Sequence, residues 1–447
     1  MTIDAPDSGD ARQLRDKRDL RMLLQLAALL VASGMPVHEV ELNVSAAASR
    51  IGHRGIVIGA APTLVQLALA EGEPSSQARV PRSLRLDQTL ALSHVLTGLH
   101  RSADEAPSVP ELMEQLGAVT RLRHRHGWLV RHTGDLAVAL GIGLVLQPGW
   151  TNLAVIALCS VVTSALMRLA ARHRLLGALL PIAASALASL IAFAAFEAGF
   201  IQGPVRTMIC AIAVLLPGAV LATGMAELAT GQMVAGSSRT FFGLTQLLLF
   251  TLGIVAAAAV LRVPHEALAD TRVAQLGWWA LPLGIIVIAL GITVSEGLPT
   301  SHVLPVALLT VVTAVVQNLG RAWTTDIPAG PFLGAMVAAF GSTALAAWRP
   351  AIPRLVTFLP SFWLLVPGTL GVLGLTGLAN GQSVTAIATV VMLIVGIASG
   401  LLVGSALALP VQRWGRRLSQ PLTATASASA RSVRSQVIDS SSRPKWP

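Results

Sequence analysis

The residues best placed to do chemistry in this chain are prolines and glycines set inside apolar runs, with the few polar groups beside them. Leu215 to Gln232 reads LLPGAVLATGMAELATGQ, and Leu365 to Gln382 reads LVPGTLGVLGLTGLANGQ. One constant shift of 150 residues takes Pro217 and Gly218 to Pro367 and Gly368, Gly224 to Gly374, and Gly231 and Gln232 to Gly381 and Gln382. A proline inside an apolar helix removes an amide donor and clashes with the preceding turn, and the glycine beside it lets the backbone leave helical geometry. In lipid the carbonyls so released must face protein or a polar cavity. Helix ends at such a break can hold the carboxylate and the ammonium of a zwitterion. Asn380 and Gln382 in one copy, and Gln232 in the other, add hydrogen-bonding groups, with Asn152, Gln246 and Gln317 as weaker candidates. Pro217, Gly224 and Gly231 also recur every seven residues, a small-residue seam that close helix packing would use as well.

Glu227 is the acid nearest the first motif, and Gly377 stands at its place in the second. A protonatable group at this position could couple transport to protons, or it could pair with Arg239 as an interfacial acid. Asp135, Glu197 and Glu296 lie near the ends of apolar segments and read as boundary residues. His38, Glu39 and Glu41 sit close together, but HEVE lacks the second histidine of a zinc helix and reads as an exposed helix face. Cys159 and Cys210 both fall in apolar segments and read as small fillers, not as a disulfide framework. No metal or cofactor is called for.

The elements that must position these groups are membrane helices. The chain has 447 residues, a mean hydropathy of +0.68 and 12% charged residues, which excludes an ordinary soluble protein. The net charge of +10 reflects Arg-rich loops facing anionic membrane lipid, since no aromatic-interleaved basic motif points to nucleic acid. Ten apolar segments lie between residues 133 and 410, most of them near the 20 or so residues that cross a bilayer. The same shift of 150 turns Ala139 to Ile142 into Ala289 to Ile292, and Val161 to Thr163 into Val311 to Thr313. The fold expected is a membrane all-α bundle of ten transmembrane helices. Five helices per copy is an odd number, so the copies must be inverted repeats, at 132–262 and 276–412. Arginines concentrate on one set of connections, which places both termini in the cytoplasm of a multi-pass cell-membrane protein. The tail, 413–447, is Ser/Ala/Arg-rich and is expected to be disordered.

The N-terminal third differs. Residues 1–20 are expected to be disordered, followed by a small α+β cytoplasmic domain over 21–131. Arg12 to Ala32 imitates a signal peptide, but Asp16 and Asp19 among the basic residues favour an amphipathic helix. Gly34 would stop it and Pro36 would open a second helix to about Arg50. Two or three short strands follow between Gly55 and Arg82, then helices over Leu86 to Leu99 and Val109 to Val119.

Leu30 to Glu41 (LVASGMPVHEVE), Pro62-Thr63 and Leu86 to Leu99, followed by Leu216 to Arg239 with Pro217, Gly218, Gly231, Gly236 and Arg239, resemble the threonine/serine exporter family. Glu227 stands where the resemblance leads one to expect Asp. The resemblance implies secondary export of threonine and serine driven by protons, with a small amino acid as the transported partner; a homo-oligomer is compatible with it. No nucleotide-binding loop appears, so ATP is not used directly. A small-dicarboxylate exporter would want Arg or Lys in the motif segments, which contain none. A membrane-bound enzyme with catalysis in the N-terminal domain would want a nucleophile signature, and none is present there, so the chain reads as a transporter and not an enzyme. The domain reads as a gate or assembly element.

Overall fold

The computed structural model describes residues 8–99, 107–269, 271–323, 329–349, 352–363, 365, 372, 376 and 385–419. Helix α1 (Ser8–Ala32) runs through the N-terminal domain, and Gly34, at φ +85°, turns the chain into α2 (Val37–Arg50) after Pro36. Strands β1 (Val57–Ala60), β2 (Leu64–Ala68) and β3 (Ser76–Arg79) form an antiparallel meander in which Val57 pairs with Ala68 and Leu64 with Arg79. Helices α3 (Leu86–Leu99) and α4 (Val109–Arg121) complete the layer, α4 opening on a Ser108–Glu111 capping box.

Two expectations for α1 are corrected. It is helical from Ser8, not disordered to residue 20, and its Asp19 is buried 3.2 Å from His53 Nε2. Its second half is also more than amphipathic. Met22, Leu23, Leu26, Leu29 and Leu30 are buried on every side, because α1 is the central rod against which α2, α4, β2 and β3 all pack.

The membrane region holds α5 (Trp128–Leu146), α6 (Trp150–Arg172), α7 (Arg174–Glu197), α8 (Pro204–Ile212), α9 (Gly218–Ala229) and α10 (Met233–Leu261), then α11 (Ala280–Ser295), α12 (Thr300–Trp323), α13 (Ala329–Trp348), α14 (Arg354–Trp363) and α15 (Thr385–Ser419). A helix is described at or within each of the ten expected places, that of the ninth only over Arg354–Trp363. By length and hydropathy, seven of the described helices can cross a membrane, or eight if the bent pair α8 and α9 is one span. Helix α11, at 16 residues, falls short of that length. Helix α15 continues to Ser419, past the expected boundary at 412, and residues 420–447 lie outside the described residues.

Neighbour relations repeat between the halves. α6 packs on α7 and α7 on α10, with α8 against both α6 and α7; α12 packs on α13 and α13 on α15, with α14 against both α12 and α13. Helices α5 and α11 cross through glycines. A Cβ on Gly134 would stand 2.9 Å from Gly291 O, and one on Gly141 would stand 2.8 Å from Gly284 O. The contacts run in opposite senses, so the two helices are antiparallel. The shift of 150 takes Gly134 to Gly284 and Gly141 to Gly291, so each glycine meets the counterpart of the other.

Candidate functional site

The first motif breaks its helix. α8 passes into a 3₁₀ turn over Ala213–Leu215, Leu216 is extended, and α9 sets off from Pro217 at 66° to the preceding segment. Proline cannot donate, so the break is closed by Gly218 N donating to Leu216 O at 2.9 Å and Leu221 N to Pro217 O at 3.0 Å. Gly218 is buried at the bend. Gly224 packs where a Cβ would meet Thr240 N at 2.9 Å, so this part of the seam is a helix contact with α10. Gly231, at φ +85°, ends α9: Gln232 N reaches back to Glu227 O at 2.8 Å and Gly231 N to Leu228 O at 3.1 Å, the pair of bonds that turns a helix end.

Pro367, Gly368, Gly374, Asn380, Gly381 and Gln382 lie outside the described residues. Their described neighbours meet the first motif. Phe362 and Leu365 share an apolar cluster with Ala222 of α9, and Val372 shares another with Leu221, Met208 and Ile212. Gly334 on α13 admits the side chains of both Leu365 and Gln317. Gln317 Nε2 and Thr313 Oγ1 are buried without a partner among the described residues, as is Thr376 Oγ1. Buried polar atoms left open in this way suit a polar ligand or water. Thr313 entered the sequence reading only as a repeat marker, and Thr376 not at all. Thr310, Thr313 and Gln317 fall on one face of α12, and that helical spacing is the signal that would have found them.

Glu227 is fully buried. Its Oε1 accepts Arg239 Nη1 at 2.6 Å and the backbone N–H of Val37 at 3.0 Å, while its Oε2 has no partner among the described residues. Of the two roles read for Glu227, the ion pair with Arg239 is present, and the same oxygen also holds the first turn of α2. Gln232 Nε2 lies 3.5 Å from Glu41 of the same helix. Glu39 meets Arg354, the first residue of α14, at 2.6 Å. The glutamates of HEVE thus belong to a docked face, not an exposed one.

Glu296, just beyond α11, accepts the N–H of Leu86 at the start of α3 at 3.1 Å, and His124 and His126 approach the carbonyls of Ser295 and Val294 at 2.9 and 3.2 Å. Burial raises the Glu296 carboxyl above its ordinary range against the opposing pull of the Leu86 amide, and burial likewise raises Glu41. Asp135 of α5 accepts a hydrogen bond from Ser295 Oγ. The N-terminal domain thus covers the end of α9, the start of α10, the end of α11 and the start of α14. The first motif's helix runs toward the domain, and the helix that leads into the second runs away from it.

The opposite end of the bundle is held by amides. Gln147 Nε2 reaches Gln202 O at 3.1 Å and Gly203 O at 3.3 Å, while its Oε1 accepts Val273 N at 3.1 Å. Asn152 Nδ2 donates to Gln202 O at 2.7 Å and Thr207 Oγ1 at 2.8 Å. Gln246 is half-buried on α10. Among the described residues no three His, Cys, Asp or Glu side chains are disposed to hold a metal ion.

A family model described as "Putative threonine/serine exporter" matches residues 21–261, the N-terminal domain from within α1 together with the helices through α10. No curated protein and no solved structure matches the chain.

Proposed function

The chain belongs to the threonine/serine exporter family and is a multi-pass membrane protein, and from that premise we propose that it carries threonine and serine out across the cell membrane by alternating access, coupled to protons. The observation that carries this reading is the broken span. α8 and α9 part by 66° at Pro217, and the residues leading into the matching segment pack directly on α9. The cargo pocket lies at the break between α8 and α9. Pro217 and Gly218 open the backbone there, Gln317 and Thr313 offer hydrogen bonds to the zwitterion, Gly231 and Gln232 turn at its mouth, and Pro367, Gly368, Asn380, Gly381 and Gln382 of the second copy are assigned to the same pocket on their sequence alone.

The two halves are inverted five-helix repeats in this reading. Reciprocal contacts between Gly134 and Gly291 and between Gly141 and Gly284 support it, because a two-fold axis makes residue i of one copy meet j of the other and j meet i. The opposed directions of α9 and α14 relative to the N-terminal domain support it too. The arginine bias assigns the domain face and both termini to the cytoplasm, with the Arg-rich tail against anionic lipid. Glu227 Oε2 is the oxygen that takes the proton. Neutralising that carboxyl weakens its hold on Arg239 and Val37, which links proton uptake to the domain covering the pocket. The domain is a gate, with Glu39 and Glu41 of α2 committed to docking.

The test loads cells with a threonine-containing dipeptide and follows excreted threonine. Cells with the intact chain should excrete it several-fold faster than cells without, and collapse of the proton gradient should remove the difference. Equal excretion with and without the chain would remove threonine as cargo. Full excretion by Glu227→Gln would remove Glu227 from the coupling.

A further inference from the structure

We propose a second amino-acid site, outside the Pro-Gly pocket, where the N-terminal domain meets the second membrane half and where Arg354 and Glu39 hold the two charges of a zwitterionic hydroxy amino acid. A cavity of about 340 Å³ opens there between α1, α2 and α3 on one side and the turn from α13 to α14 on the other. That volume falls in the range of roughly 300–1,000 Å³ typical of small-molecule sites. None of its lining residues belongs to either Pro-Gly motif.

Its wall carries both signs of charge. Arg354 Nη1 donates to Glu39 Oε1 at 2.6 Å, and Nη2 to Ser405 Oγ at 3.2 Å. A guanidinium has five N–H donors in a fork that matches a carboxylate, and a carboxylate can accept an ammonium at either oxygen. Around the pair stand Ser33, Thr89, Ser93 and Thr97. Each already spends its proton on its own helix: Ser33 on Leu30 O at 2.7 Å, Ser93 on Leu90 O at 2.7 Å, Thr89 on Arg85 O at 3.0 Å and Thr97 on Ser93 O at 2.9 Å. The four hydroxyls therefore offer lone pairs, and lone pairs call for donors, namely the ammonium and side-chain hydroxyl hydrogens of such a ligand. Leu30, Leu92 and Leu96 supply the apolar remainder of the wall.

An ion pair that only fastened two domains together would need neither the cavity nor the ring of acceptors. A ligand seated between the charges replaces the direct Arg354–Glu39 contact with two contacts of its own. Occupancy thus lengthens one tie between the N-terminal domain and the second half, so that a rising internal amino-acid level loosens the cover. The proposal rests on the exporter reading for the choice of threonine as probe and for the internal location of the site.

The test uses the full chain in membrane vesicles with Ala346→Cys as a thiol reporter and Leu96→Cys as a second, neither of them a proposed polar contact; the native Cys159 and Cys210 are buried and contribute little background. Threonine should slow alkylation by 1 + [L]/Kd, about tenfold at roughly ten times the half-protecting concentration. Analogues lacking the ammonium (3-hydroxybutyrate) or the carboxylate (1-amino-2-propanol) should not protect. Arg354→Gln and Glu39→Gln, each in the reporter background and each scored against its own unliganded labelling rate, should abolish protection. Indifference of both reporters to threonine, equal protection by the singly charged analogues, or protection that survives both variants would overturn the site. Excretion measured in parallel separates the two readings: protection without excretion retires transport and leaves the site, and excretion without protection retires the site alone.

Discussion

The N-terminal domain and the membrane region treat their surfaces in opposite ways. In the domain the large aliphatic side chains are the interior: Met22, Leu23, Leu26 and Leu30 are fully buried. On the membrane helices comparable side chains face outward, Leu304 at 77% exposure, Phe241 at 71% and Leu248 at 57%, while Ser185, Ser189, Thr310 and Thr313 are fully buried. Water drives leucine inward. Lipid tails are as apolar as leucine and give no such drive, so the membrane interior is chosen for close approach and hydrogen bonding. Neither rule governs the junction, where Glu227, Arg239 and Glu296 are withdrawn from water and must be paired or hydrogen-bonded.

The junction gives the largest effect. Arg239→Ala leaves Glu227 buried without its counter-charge and should cost about 3–5 kcal/mol, read as thermal unfolding of the purified chain. The paired change Glu227→Leu with Arg239→Met should recover most of that loss. If the double variant is as unstable as the single one, the two side chains do not act as a pair.

The comparison between regions is tested next by matched truncations. Leu26→Ala should cost about 2–5 kcal/mol, whereas Leu248→Ala should stay within about 0.5 kcal/mol. Equal costs would mean that both regions answer to the same solvent. At the α5–α11 crossing, Gly141→Ala and Gly291→Ala each place a methyl against backbone and should cost about 1–3 kcal/mol, with similar values for the two because their surroundings are reciprocal. A large loss from one and none from the other would break the likeness of the halves.

The smallest effect is a pH slope. Burial raises Glu296, with Asp135 and Asp87 pushing the same way and the Leu86 amide and Arg131 opposing. A carboxyl whose folded value lies above its unfolded value contributes stability that is complete below the ordinary carboxylate range and is lost as pH rises through the raised value. Unfolding midpoints between about pH 4 and pH 8 should therefore flatten in Glu296→Gln. An unchanged slope would assign the pH dependence to another group.

Much of the N-terminal domain was legible because its signals are local. Gly34 and Pro36 end one helix and open the next, the β-branched runs before Arg82 become the meander, and Ser108 with Glu111 starts α4 where the pattern places it. The burial of Asp19 within α1 was not legible, since Arg15, Asp16 and Asp19 look solvated until His53 is folded against Asp19. The Pro-Gly break was legible for the same local reason as the Gly34 turn. Gly224 was legible as a packing glycine of the seam, but its partner Thr240 was not, because that depends on where α10 lies.

By itself the sequence determined which segments are apolar and where each helix must yield at Pro or Gly, because both depend on side chains within a few positions of one another, and that one stretch recurs after 150 residues, because a repeat is read by comparing residue order alone. Only the tertiary structure decided that Glu227 holds the first turn of α2, that Arg354 finds Glu39, and that α9 ends on the face from which α14 departs. Those pairings span 190 and 315 residues of chain, and a hydrogen bond requires its partners to lie within about 3 Å, a condition that only the packing of whole helices can meet.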